Sequence, residues 1–385
     1  MRILSDRLGK YEMKKDWSIG LMTGTVNDGN IDIAAIRTDG EKIVEFGPYE
    51  LFPYENKKIR QLVFETYEAA KTWNFQGPEP QIFSTVEKLI TIEQSEAVNK
   101  FISKNNLHRE SIFSIGFHGQ TVLHRPPNNI IKFGKTRQLG DGNMMSNYLK
   151  LPVVFDFRSN DVANGGQGAP LAPIYHLALS KLINKKSLVF LNIGGISNIT
   201  FIGQDENLIA FDTGPGNAPI DDYVKKNNRG SMDKNGEFAE QGKANSELIE
   251  KIMNNKYFQK SFPKSLDRFD FDFQDINQLE FEDGCATLTK IIALSIAKGL
   301  NQLPQKPLQI IVSGGGSKNQ TLMKQLNSTT KISCSKVEDY GFRGDAIEAE
   351  AFAYLSARCF KNLPLSFPFT TGVKKPTLGG IKISP

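Results

Sequence analysis

Apolar and polar positions trade places along residues 18–22 and again along 31–38, with the polar run TGTVNDGN between them. The pattern predicts a strand, a glycine-bearing turn and a second strand. About 170 residues later the device returns as SLVFLNI, Gly194-Gly195 and SNITFI, and a repeat at the separation of one domain predicts two similar halves facing each other across a cleft. Between the two, residues 57–74 and 84–103 read as helices and 111–117 and 151–157 as strands, and GGQGAPLAP at 165–173 leads into a helix through Ala178. In the second half, 245–253 and 286–301 are expected as helices, 308–313 as a strand that stops at Gly314-Gly315-Gly316, 319–326 as a helix, and 346–360 as a long alanine-rich helix. TTGVKKPTLGG near the end reads as a loop. Strands and helices mixed in this way predict an α/β fold.

The stretch 189–217, VFLNIGGISNITFIGQDENLIAFDTGPGN, sets one carboxylate, Asp212, in a second glycine turn shortly after the first. Backbone N–H groups at Gly194, Gly195 and Ser197 are candidates to line up on an anion, where a side chain at either glycine would obstruct it. On these residues alone a plain β-hairpin explains the stretch equally well. Thr23, Gly24, Thr25, Asn27, Asp28 and Gly29 bring donors, hydroxyls and a carboxylate into one turn, suited to cradling phosphates with Asp28 near Mg²⁺, usually through water; an ordinary hairpin turn is the stronger alternative there. Gly314, Gly315, Gly316 and Asn319 stand between a strand and a helix, where a flat ring fits close to the backbone, or form only a flexible turn. DFRSNDVANGGQGAPLAP crowds Asp156, Arg158, Asp161 and Gln167 among glycines, which suggests a hydroxylated ligand or else a structural loop with capping carboxylates. His118 and His124 match no common metal spacing, and His118 is a candidate donor to a sugar hydroxyl. Glu348 opens the alanine-rich helix, where it contacts ligand or complements the helix N-terminus.

Composition narrows the class. The 385 residues are 39% hydrophobic and 23% charged, and 47 basic against 42 acidic side chains leave a net charge of +5, too small to argue for nucleic acid. Cys285, Cys334 and Cys359 are far apart and form no C-x-x-C pair, so neither a disulfide framework nor a zinc site is expected. No apolar run reaches membrane-spanning length and the N-terminus carries no signal-peptide stretch, so a cytoplasmic protein without membrane partners is expected.

LMTGTVNDG, GFHGQTVLHRPP, DFRSNDVANGGQGAPLAPIYH, LNIGGISNIT, FDTGPGNAPID, PKSLDR, GGGSKNQTLM and DAIEAEAFAYLSAR, in that order, resemble the anhydro-N-acetylmuramic acid kinases over nearly the whole chain. The resemblance implies the sugar kinase, heat-shock ATPase and actin superfamily: two duplicated ribonuclease-H-like domains, an actin-like ATPase fold, around a central nucleotide cleft. Residues 1–185 with 340–385 would form one domain and 186–339 the other. It also implies a cytoplasmic enzyme of peptidoglycan recycling that uses ATP and Mg²⁺, acts on a small amino sugar and water, and forms a homodimer. Asp212 takes the position of the catalytic aspartate, as the base that activates water. Thr23, Gly24, Thr25, Val26, Asn27, Asp28, Gly29 and Asn30 take that of the first phosphate loop, with Asp28 at the metal. Gly194, Gly195, Ser197 and Asn198 correspond to the second loop, and Gly314, Gly315, Gly316 and Asn319 to the adenosine side. His118, Arg158, Asp161, Gln167 and Glu348 are the candidate sugar contacts. The chain departs from the family pattern at Val26, which lacks the usual serine hydroxyl, and at Asn160, where a basic residue is frequent, leaving Arg158 to meet the substrate's lactyl carboxylate. Another sugar or acyl kinase of the superfamily, or a nucleotide-binding regulator without kinase chemistry, stays open as an alternative.

Overall fold

The computed structural model describes residues 16–23, 29–127, 134–266 and 270–385. They fall into two compact units, Met1–Leu179 with Ala346–Pro385, and Ser180–Asp345.

In the first unit the chain runs β1 (Trp17–Met22), β2 (Asn30–Thr38), β3 (Ile43–Pro53), α1 (Ile59–Trp73), α2 (Gln81–Lys104), β4 (Ile112–Phe117), β5 (Gln120–Arg125), β6 (Lys135–Leu139), α3 (Gly142–Leu149), β7 (Val153–Phe155) and α4 (Ser159–Ala163). α5 (Pro173–Leu182) carries it into the second unit. There follow β8 (Leu188–Ile193), β9 (Ile196–Ile202), β10 (Leu208–Pro215), α6 (Ala218–Lys226), α7 (Glu237–Gln241), α8 (Ser246–Met253), α9 (Phe281–Leu300), β11 (Gln309–Ser313), α10 (Gln320–Thr330) and β12 (Ser333–Lys336). The chain then returns to the first unit with α11 (Ile347–Phe360) and β13 (Ile381–Ile383).

Both large sheets are built alike. The first is ordered β13-β7-β4-β1-β2-β3 and the second β10-β9-β8-β11-β12. In each, three consecutive strands pair antiparallel and two later strands add in parallel beside the first of them. The repeated hairpin predicts two similar halves, and this is the duplicated ribonuclease-H-like order that the resemblance implies; it places the ends of β8 and β11 together, the position where open α/β sheets bind ligands.

Period-two alternation decides which face each strand buries. In the first unit Trp17, Ile19 and Leu21 of β1 join Val98 and Phe101 of α2 and Met145 of α3 in one core. The opposite face is made of small residues: Ser18 lies across from Ser114 and Gly20 across from Gly116. α11 is laid directly on these glycines. A Cβ on Gly20 would stand 1.9 Å from the Ala349 carbonyl oxygen, and one on Gly116 would stand 2.2 Å from that of Phe352. Ser114 Oγ bridges the layers, 3.3 Å from Ser18 Oγ and 2.7 Å from Ser356 Oγ. In the second unit Val189, Leu191 and Ile193 of β8, with Ile199, Phe211, Ile310 and Val312, pack under Leu288, Ile292 and Ile296 of α9 and Leu322 of α10.

Helix boundaries follow their caps. Asp141 accepts the Met144 N–H before α3, Asn245 the Leu248 N–H before α8, and Asn319 the Leu322 N–H before α10. One expectation changes: Asp212 lies within β10 rather than in a glycine turn. The expected loop at 370–380 holds, and directly after it residues 381–383 form a strand paired with β7. No helix among the described residues is long and apolar enough to cross a membrane.

Candidate functional site

Strand register gathers a polar row in the second unit. Asp212 on β10 is opposite Asn198 on β9, Asn198 opposite Asn192 on β8, and Asn192 opposite Ser313 on β11. Directly paired residues share a sheet face, so these four side chains line the face opposite the α9 core. At Asp212 the ladder breaks: the register with β9 shifts between Asp212 and Gly214. Such bulges re-aim a side chain and recur beside active sites. Asp212 is half-buried, and its Oδ2 accepts the Leu266 N–H at 2.8 Å. Burial raises its pKa to about 7, with the Leu266 hydrogen bond opposing the shift. A carboxylate poised there ionises in the range a general base needs.

The glycines sort into two kinds. A Cβ on Gly216 would meet the Gly194 carbonyl oxygen at 2.2 Å, one on Gly314 the Asn192 Oδ1 at 2.3 Å, and one on Gly316 the Ile193 Cγ2 at 2.3 Å, so packing alone requires those three. At Gly194 and Gly195 the nearest atoms would be 3.7 and 3.6 Å away, and at Gly315 nothing lies within 4 Å. Nor does either of the first two have a left-handed backbone. The fold has room for side chains at Gly194, Gly195 and Gly315, so packing does not account for glycine at those positions. Ser197 is fully buried, and its hydroxyl donates to the Pro215 carbonyl at 3.1 Å, leaving Gly195 as the exposed tip of the hairpin. Asn319 caps α10, while its buried Nδ2 has no partner among the described residues.

In the first unit Arg158 is a hub. Its Nε and Nη2 donate to His118 Nε2 at 3.1 and 3.0 Å, and its Nη1 donates to the Gly168 carbonyl at 2.7 Å. His118 Nδ1 is 2.8 Å from the Gly119 carbonyl, which can only accept, so the proton sits on Nδ1 and Nε2 is the acceptor. Burial and the Arg158 charge push the His118 pKa down to about 3, so the ring is neutral. Its single N–H is already given to Gly119 and its Nε2 accepts from Arg158, so in this structure the ring has no N–H left for a hydroxyl. Burial lowers the Arg158 pKa to about 10, against the fields of Glu348 and Asp161. Glu348 is exposed at the start of α11.

Asp161 is spent inside the loop: Oδ1 accepts the Gly168 N–H and Oδ2 the Thr371 hydroxyl, both at 2.6 Å. Gln167 is held likewise, its Nε2 donating to the Pro127 carbonyl at 3.2 Å and its own carbonyl facing His124 Nε2 at 2.8 Å. Beside this loop lies a cavity of about 250 Å³ lined by His118, Arg137, Gln138, Asn143, Asp156 and Ser159. Asp156 adopts φ 50° and accepts the Ser159 hydroxyl at 2.6 Å. Thr23 is buried and donates to Gln120 Oε1 at 3.1 Å; Gly29 and Asn30 lead into β2. Gly24, Thr25, Val26, Asn27 and Asp28 lie outside the described residues. Asn160, the departure from the family pattern, donates to the Leu378 carbonyl at 2.7 Å.

Sequence reasoning passed over Asn192. Its signal is one polar residue inside the apolar strand LVFLNI, which nothing but strand pairing connects to Asp212.

The sequence profile of the AnmK family, anhydro-N-acetylmuramic acid kinase, matches residues 16–384. The chain is 47% identical over 369 residues to the anhydro-N-acetylmuramic acid kinase of Rhizobium rhizogenes, covering 96% of this chain and 99% of that one. It is equally 47% identical over 369 residues to the enzyme of that name from Brucella anthropi, with the same coverage. The anhydro-N-acetylmuramic acid kinase 2 of Jannaschia sp. is 46% identical over 365 residues, 94% of this chain and 96% of that one.

Proposed function

We propose a reaction and a base for this chain, which belongs to the anhydro-N-acetylmuramic acid kinase family and is an enzyme, a kinase that uses ATP. The substrate is 1,6-anhydro-N-acetylmuramic acid. Water adds to C1, the C1–O6 bond breaks, and O6 takes the γ-phosphoryl group, giving N-acetylmuramic acid 6-phosphate and ADP. Asp212 receives the proton of the attacking water at Oδ1, the oxygen that Leu266 does not occupy.

The observation that carries this reading is the setting of Asp212: a bulged strand end, in line with Asn192 and Asn198, with its pKa raised by burial to about 7. General-base help of this kind contributes about 10²–10⁴-fold, and orientation of the reactants supplies much of the remainder. The hairpin tip at Gly194-Gly195 receives phosphate, Gly315 with Asn319 the adenosine, and Arg158, aimed by His118, the lactyl carboxylate. Glu348 joins Arg158 at the sugar, whereas Asp161 and Gln167 shape the loop behind them. Mg²⁺, when bound, would neutralise phosphate charge. Magnesium keeps much of its hydration shell, so it would be held mainly by phosphate oxygens and water. Asp28 is proposed as its water-mediated contact.

Incubation with ATP, Mg²⁺ and the anhydro sugar in ¹⁸O-water tests the reaction: the expected product is a 6-phosphate carrying one ¹⁸O at C1. Absence of any sugar phosphate would refute the kinase reading, and unlabelled early product would refute attack by water. The acid limb of kcat/KM should have an apparent pKa of about 7, with activity rising as pH increases because only the ionised carboxylate accepts a proton. A limb near the ordinary carboxylate range would contradict it.

Gly194→Ala and Gly195→Ala should change stability by no more than roughly 0.5 kcal/mol, as at any unpacked surface position. Each should raise the KM for ATP roughly tenfold or more, a loss of about 1.4 kcal/mol. Unchanged ATP kinetics would remove the phosphate from this hairpin.

A further inference from the structure

Asp212 is gripped by a single stretch of chain. Its N–H donates to the Lys264 carbonyl at 3.1 Å, its C=O accepts the Tyr257 hydroxyl at 2.5 Å, and its Oδ2 accepts the Leu266 N–H at 2.8 Å. β10 is the outer strand of its sheet. The backbone groups of Asp212 therefore point away from β9, and residues 257–266 cover the open edge that a bare outer strand would present.

The bracket is closed by a side chain. Lys264 is 8% exposed, with its Nζ 4.8 Å from the Tyr257 ring centroid, 5.4 Å from that of Phe211, and 3.5 Å from the Tyr257 carbonyl oxygen. A ring of contacts results: Asp212 to the Lys264 backbone, the Lys264 ammonium to Tyr257, and the Tyr257 hydroxyl back to Asp212. Leucine or methionine would fill such a space without withdrawing a cation from water. Burial, together with the like charge of Lys260, pulls the Lys264 pKa down to about 8. The fold thus holds a cation where hydration opposes it, and cation–π attraction to two rings is the compensation the geometry offers.

We propose that Lys264 is a positioning residue for Asp212, its ammonium fastening Tyr257 and Phe211 so that the bracket stays shut on the carboxylate. The proposal rests on Asp212 being the base. Loosening the bracket weakens the Leu266 hydrogen bond, the contact that holds the carboxyl pKa down.

The test compares Lys264→Met, which is unbranched, one heavy atom shorter and uncharged, with Lys264→Arg, in the full chain with saturating ATP and anhydro sugar. Lys264→Met should lower kcat roughly tenfold or more with both KM values unchanged. It should also move the acid limb of kcat/KM upward, by roughly half a pH unit or more. Lys264→Arg should restore most of both. The other ionisable groups near the bracket, Lys260, Tyr257 and Asp270, are unchanged in these variants. Where Lys264→Met does not fold, Tyr257→Phe removes one oxygen, keeps the ring, and should produce the same upward shift. Wild-type kcat with an unmoved limb overturns the proposal. So does a lower melting temperature with an unmoved limb that arginine does not rescue, since that is packing alone. An active Asp212→Asn variant would instead refute the base, whatever Lys264 does.

Discussion

Asp212→Asn should fold, bind ATP and turn over about 10²–10⁴ times more slowly than wild type, the contribution of a positioned general base. The fold has no reason to object. Asparagine is nearly isosteric, its side-chain oxygen still accepts the Leu266 N–H, and the bonds to Lys264 and Tyr257 involve only backbone atoms of residue 212. Stability supplies a second readout with a definite sign. A carboxyl whose pKa is about 7 when folded binds a proton that the unfolded chain, near its ordinary value of 3.8, has released. Between those values the native state holds more protons, so wild-type stability falls as pH rises through that window. The variant lacks this titration, and the stability difference between the two should drift in its favour from acid to neutral pH in denaturant unfolding. An active variant, or one whose stability runs parallel to wild type, would take Asp212 out of the role.

Gly20→Ala should be the most damaging substitution to the fold. The new methyl would lie 1.9 Å from the Ala349 carbonyl oxygen and 2.3 Å from the Ala353 nitrogen, both backbone atoms of α11, so no rotamer change relieves it. Overpacking of a close-packed core costs about 1–3 kcal/mol and occasionally more, and contact with helix backbone belongs at the upper end. For a unit of this size that corresponds to a melting temperature lower by roughly 6–12 °C. Gly116→Ala, opposite it in the sheet, should behave alike. Loss of activity should follow loss of fold in both, unlike Gly194→Ala and Gly195→Ala, where activity alone suffers.

The fold was readable where local pattern and tertiary placement agree. The hairpins at 17–38 and 188–202 and helix α11 carry clean periodicity, and the family motifs made the duplication and the kinase chemistry legible. What escaped depends on pairing. Asp212, followed by Gly214 and Pro215, reads as part of a glycine turn, yet β9 recruits residues 208–215 as a strand whose register shifts just after Asp212. Asn192 joined the row only through register. His118 illustrates the limit for single side chains: the sequence showed a histidine beside polar residues, but which atom holds the proton depends on Gly119 and on Arg158 forty positions away. For Asp161 and Gln167 the crowding of polar groups is visible in sequence, whereas the protein partners that hold them, Thr371 and Pro127, are not.

The return of the chain at Ala346 sets an order of events during synthesis. Ser180–Asp345 is continuous and can close as soon as it leaves the ribosome, whereas the first unit lacks its last helix until residue 360 has been made. Until then the glycine-lined face of β1 and β4 has no cover. N-terminal segments generally fold first as they emerge; here the earliest-made strands wait longest. A chain truncated after residue 345 and released from the ribosome should therefore contain a protease-resistant second half beside an unfinished first.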